Sequence, residues 1–143
     1  MKRIWIGLIA LALAACASEP AEKQDDDALS FEDLMSGGRL KDAALQTALK
    51  AAEAFPLGSE KNPVRTDMPP GQQAYLRRLR CADGNAPAFR RIGNMGGGVF
   101  GSIVDAYDVR CEGSTPASST IMMDMYFPGH VETRAVAGFT IKP

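Results

Sequence analysis

The chain has 143 residues, of which 45% are hydrophobic and 23% charged, with 16 Lys and Arg against 17 Asp and Glu. That length makes one domain of ordinary size. The near-neutral balance excludes a protein that holds nucleic acid through bulk positive charge.

At the start, Lys2 and Arg3 precede an uncharged run of 12 residues, Ile4 to Ala15. A spanning helix needs about 20 apolar residues, so the run is too short to cross a bilayer. A charged start, a short apolar run and the small residues Ala14 and Ala15 make the layout of a secretory signal peptide. The end of that run, Leu13-Ala14-Ala15-Cys16, resembles the lipobox of bacterial lipoproteins. The resemblance implies cleavage before Cys16, fatty chains on its sulfur and new amino end, and the lipid bilayer as a partner. Ala17 follows the cysteine where an Asp is absent. In lipoproteins of Gram-negative bacteria that implies the outer membrane, facing the periplasm. Each buried methylene contributes about 0.8 kcal/mol, and two or more chains hold a protein where one does not.

Three segments are expected: residues 1–15 as signal peptide, 16–29 as lipidated Cys and acidic tether, and 30–143 as a single globular domain. Loss of Lys2 and Arg3 leaves 14 basic against 17 acidic side chains. The sole Trp, Trp5, leaves with the signal. Residues 17–28 hold no large apolar side chain and read as a flexible, solvated spacer.

Ser30 and Asp33 suggest a capped helical turn that Gly37-Gly38 ends. Residues 39–55 predict a helix. Ala44, Leu45, Ala48, Leu49, Ala52 and Phe55 form one stripe, opposite Asp42, Gln46, Lys50 and Glu53. Pro56 and Gly58 stop it. The proline-rich stretch 56–70 predicts a loop with a short extended piece around Val64. Pro69-Pro70-Gly71 opens a second helix through Tyr75 and Leu79, and Asp83-Gly84 marks a turn.

The remainder reads as β. Residues 88–92 predict a strand, 93–101 a glycine-rich loop, and 102–111 a second strand. Over 120–127, Ile121, Met123, Met125 and Phe127 alternate onto one face. Residues 112–119 suit a hairpin connection. Val131 to Val136 and Phe139 to Ile141 predict short edge strands. Helices first and strands after give an α+β fold: one or two helices on a small antiparallel sheet of three to five strands.

With Cys16 acylated, Cys81 and Cys111 remain, and an oxidising compartment predicts a disulfide between them. Metal ligation and redox work are the alternatives. Neither cysteine lies in a C-x-x-C pair, and the one His is distant in sequence.

Four groups of residues carry possible chemistry. Asn94 to Gly101 invites a phosphate-loop reading, but no Lys-Ser or Lys-Thr follows, so a plain loop is expected. Asp105-x-Tyr107 and Asp124-x-Tyr126 repeat on two strands. Period 2 places each Asp with its Tyr, and suitable pairing would bring two carboxylates together for acid and base roles. An exposed polar ladder is the simpler reading. Met122, Met123, Met125 and His130 suggest cuprous ligation, against a core role for Met123 and Met125. His130 itself, after Pro128-Gly129, is expected at a loop tip. Arg77, Arg78, Arg80, Arg90 and Arg91, with Asp83 the only acid among them, form a candidate patch for an anionic envelope component.

Leu79 to Gly84, Gly101 to Tyr107 and Met123 to Tyr126 are similar to small uncharacterised proteobacterial lipoproteins. That resemblance covers about the last half of the chain and carries no catalytic residue over to it; no catalytic residue, cofactor or metal is expected. The expectation is a membrane-anchored, non-enzymatic module that binds an envelope protein or an anionic envelope component, with no nucleic acid. The alternatives are a small periplasmic hydrolase using Asp105 and Asp124, and a copper-handling protein.

Overall fold

The computed structural model describes residues 31–143. The expected signal peptide, Cys16 and the tether lie outside those residues. Among the described residues no helix is long and apolar enough to cross a membrane.

The elements follow the sequence closely at first. Helix α1 spans Phe31–Ser36 and α2 spans Asp42–Ala52. Strand β1 is Val64–Asp67, and α3 is Met68–Arg78. Pro69 and Pro70 occupy the first turn of α3, where a missing N–H costs nothing because that donor has no partner within the helix. Then come β2 (Leu79–Arg80), β3 (Ala88–Gly97), β4 (Ile103–Arg110), β5 (Ser118–Asp124), β6 (Tyr126–Val131) and β7 (Thr140–Ile141). The fold is α+β, with a five-stranded sheet in the order β3-β4-β5-β1-β6 and a two-stranded sheet of β2 and β7.

The sheet is mixed, where antiparallel pairing alone was expected. Val64 and Arg65 of β1 run parallel beside Met123 and Asp124 of β5, while Thr66 and Asp67 pair antiparallel with Val131 and Tyr126 of β6. The four-residue β1 thus occupies an interior place. It is buried at Val64 and Thr66.

Period 2 divides the β4–β5 ladder into two faces. Tyr107 and Val109 of β4 join Ile121 and Met123 of β5, Val64, and the α3 residues Tyr75 and Leu76 in the main core. Val104, Ala106 and Met122 form a small cluster on the reverse face. Helix α2 sets Leu45, Ala48, Leu49 and Ala52 against Phe100 and Phe127, whose rings meet edge to face at 5.4 Å. Two members of the expected stripe fall off it. Ala44 is exposed, and Phe55 lies past the helix end under the Lys61 ammonium, 4.7 Å from the ring centre.

Three strand boundaries move. Strand β3 runs on through Gly97, with irregular register between Arg91 and Gly93 and between Asn94 and Gly97; its partner β4 supplies the pairing that local composition hides. The alternation of 120–127 breaks at Met125, so Phe127 joins α2 rather than the main core. Beyond Val131 no strand forms until β7, and His130 lies in β6 rather than at a loop tip. The Cys81–Cys111 disulfide is present, joining the chain just past β2 to the chain just past β4, with Cα atoms 5.7 Å apart.

Candidate functional site

Three polar networks and a set of surface grooves hold the residues that could do chemistry. The first lies under α3. Asp105 is buried. It accepts from Arg91 Nη2 at 2.6 Å and from Gln72 Nε2 at 3.3 Å. Tyr107 donates its hydroxyl to Gln72 Oε1 at 3.0 Å. Burial pushes the Tyr107 phenol above its ordinary range. The buried Gln72 thus bridges an acid and a phenol of one strand. Its partners stand 33 and 35 residues away.

The second network is on the reverse face. Asp124 has no exposed surface. It accepts from the Ser102 hydroxyl and from the Tyr126 backbone N–H at 3.0 Å. Burial pushes its carboxyl up, and the Ser102 and Tyr126 hydrogen bonds, then the Arg39 charge, only partly offset that. The surrounding backbone is tight. A side chain on Gly37 would run into the Tyr126 ring, and one on Gly101 would stand 2.9 Å from the Gly38 carbonyl. Both glycines have positive φ, +57° and +86°, which costs them little. The Leu40 N–H donates to Phe100 O at 2.7 Å and closes this junction.

The pairing of Val104 with Asp124 and of Asp105 with Met123 sends the two carboxylates to opposite faces. Asp105 and Tyr107 stay together. Asp124 meets Ser102 instead, and the Tyr126 ring packs on Gly37. The paired carboxylates needed for division of acid and base work therefore do not assemble. Met122 and Met123 likewise take opposite faces, in the small cluster and the main core. His130 stands in β6 against Phe127, ring centres 6.3 Å apart.

The third network was not visible in the sequence. Glu132 is 4% exposed. Arg134 grips it with Nε and Nη2 at 3.1 and 3.2 Å, and the backbone N–H groups of Thr133 and Arg134 donate at 3.1 Å. Arg65 Nη2 approaches at 3.4 Å, and Arg78 donates to the Glu132 carbonyl at 2.5 Å. Arg134 also holds Glu53 at 2.9 Å, which ties the end of α2 to the C-terminal segment. Burial raises the Glu132 carboxyl, but the Arg134 hydrogen bonds and the Arg134 and Arg65 charges outweigh it and bring it to about 2. His130 Nε2 lies 3.8 Å from Glu132. Burial, then the Arg65 charge, hold that imidazole below its ordinary range. Glu132 already fills the cage of guanidinium groups, so the network is a clamp.

The five arginines of the candidate patch take separate duties. Arg77 is exposed at the end of α3. Arg78 serves the clamp. Arg80 Nη1 donates to the Arg77 and Leu79 carbonyls at 2.7 and 2.6 Å. Arg90 pairs with Asp108 at 3.2 Å and Arg91 with Asp105 at 2.6 Å. As neighbours on β3 these two point to opposite faces.

A cavity of about 430 Å³ beside the disulfide is lined by Asp83, Asn85, Arg110 and Glu112 together with Cys81 and Cys111. A groove of about 310 Å³ runs between Met35, Arg39, Leu40, Leu45 and Pro128. Neither contains a carboxylate of the three networks. Among the described residues no group of three or more His, Cys, Asp or Glu side chains could hold a metal ion.

Comparison with family models, curated proteins and solved structures finds no match to this chain.

Proposed function

We propose that this chain is a lipid-anchored envelope protein that holds a folded module beside a membrane and works by contact rather than turnover. Leu13-Ala14-Ala15-Cys16 carries the reading, because a cysteine placed directly after a short apolar leader is the acceptor that acylation needs. The Cys81–Cys111 bond supports it, since such bonds persist in oxidising compartments. Ala17 favours the outer membrane, facing the periplasm. The partner is an envelope protein or an anionic envelope component. The exposure of Arg77 at the end of α3 supports the anionic reading. The kinship of the C-terminal half with small proteobacterial lipoproteins belongs to the same proposal.

Metabolic labelling with a fatty-acid probe tests the anchor. Wild-type protein is expected to take the label, and Cys16→Ala is expected to lose it. An unlabelled wild type, or a labelled variant, overturns the reading. In-cell crosslinking followed by mass spectrometry then identifies the partner.

A further inference from the structure

Helix α1 presents an apolar surface to solvent. Phe31 is 77% exposed and Met35 42% exposed. They are four residues apart, so they share one side of the helix. The helix is held in place by its neighbours. It packs on β6, Ser36 is buried and donates to the Asp33 carbonyl at 2.9 Å, and the following Gly37 is pressed on Tyr126. Met35 also lines the groove that continues the apolar surface through Leu40, Leu45 and Pro128.

We propose that this surface, Phe31 and Met35 with the adjoining groove, is the side of the domain that seats on the bilayer. The inference rests on the anchored reading of Cys16. Fourteen residues separate Cys16 from Phe31, a contour of at most about 50 Å. The chain enters the described structure at Phe31 itself, so the apolar side of α1 stands at the anchored end. Of the other exposed large apolar side chains, Val131 lies on β6, the strand on which α1 packs, Phe55 and Val99 lie in loops, and Ile92 and Met95 lie on β3. That strand is at the far edge of the sheet from β6, four strand spacings or about 19 Å away. Charge at the rim is balanced. Lys41 pairs with Asp33 at 2.7 Å, and Arg39 lines the groove with Asp42. The surface therefore suits zwitterionic headgroups. Phe31 and Met35 enter the headgroup and acyl boundary, as amphipathic surface helices do.

Loss of Trp5 with the signal makes the test direct, because a single introduced Trp reports alone. Acylated mature protein carrying Phe31→Trp, Met35→Trp or Ile92→Trp is bound to phosphatidylcholine vesicles with brominated chains. Bromolipid is expected to quench at least half of the emission of the first two variants, with a blue shift, and to leave Ile92→Trp unquenched. Vesicle-bound, acylated protein in which positions 31 and 35 are quenched no more than position 92 overturns the proposal and leaves the anchor standing. A blue shift that needs no lipid and grows with protein concentration means that a second copy covers the surface, which also overturns it. Protein that lacks acyl mass at Cys16 and stays off the vesicles removes the anchor and this inference with it. Both test positions are solvent-exposed, and circular dichroism of each variant verifies the fold.

Discussion

Asp124 and Glu132 are eight residues apart in the chain, both are shut away from water, and folding moves their carboxyls in opposite directions. Asp124 is pushed up by burial. Glu132 is drawn down to about 2 despite burial. The difference is the donor set. Asp124 receives one hydroxyl, one backbone N–H and the charge of Arg39 from further off. Glu132 receives two backbone N–H groups and direct grips from Arg134 and Arg65. Removal from water penalises any ionised carboxylate, and charged hydrogen-bond donors at short range reverse the penalty. One region of the molecule thus tolerates a reluctant acid, and the other is built around a willing one.

The largest expected effect comes from Glu132→Gln. It takes the carboxylate from between Arg65 and Arg134, which keep only the exposed Glu53, and because Arg134 is 45% exposed the cost falls at the low end of that for a broken buried pair, about 3 kcal/mol. Urea denaturation at neutral pH measures it. A loss below about 1 kcal/mol, the range of exposed ion pairs, would erase the distinction between the two sites.

The second effect is pH dependence. The folded Glu132 value of about 2 lies below its ordinary 4.5. Its ionised form therefore contributes stability that is fully present above pH 4.5 and is lost as pH falls through the folded value. Acidification from pH 7 to pH 3 is expected to remove about 2 kcal/mol from this source. His130, lowered by burial and Arg65, acts in the same sense. Its contribution is present above its ordinary range and is lost as the pH falls. Asp124, raised, acts in reverse, stabilising at low pH and losing that contribution as pH rises through its folded value. The unfolding free energy measured against pH in wild type and in Glu132→Gln separates these contributions. A slope unchanged by the substitution would break the assignment to Glu132.

The smallest effect is expected from Asp124→Asn. The amide oxygen, in the place of Oδ1, keeps the acceptor for the Tyr126 N–H, the amide NH2 in the place of Oδ2 donates to the Ser102 hydroxyl, and the penalised charge disappears. Stability at pH 7 should stay within about 1 kcal/mol of wild type, read from the same urea curves. A loss equal to that of Glu132→Gln would show that burial alone governs both acids.

How far the sequence reaches follows from the range of each interaction. Helix α2 was legible because Leu45, Ala48, Leu49 and Ala52 recur at helical spacing, and α3 because Pro69 and Pro70 stand at its start. The alternation in β4 and β5 was legible too, as was the disulfide once Cys16 was set aside. The relation between strands was not. Whether Asp105 and Asp124 meet depends on register, and a shift of one residue reverses every face. The Glu132 clamp draws on Arg65, 67 residues away, and Arg134 reaches Glu53 across 81. No local pattern encodes such partners. The glycines from Gly93 to Gly97 look like a loop until β4 is laid beside them.

The interior position of β1 bears on the order in which the domain assembles. Its four residues belong to the first half of the chain, yet both neighbours come from the last quarter, Met123 to Val131. A nascent polypeptide that has delivered the chain as far as Arg78 can coil α2 and α3 but has nothing on which to zip Val64 to Asp67. Closure of the sheet waits for distant segments, which ties completion to the emergence of the C-terminus and slows it in the way that long-range pairing does. A truncation before Ser118 would remove β5 together with β6, leave Val64 to Asp67 with no strand to pair, and so unravel the middle of the sheet rather than trim its rim.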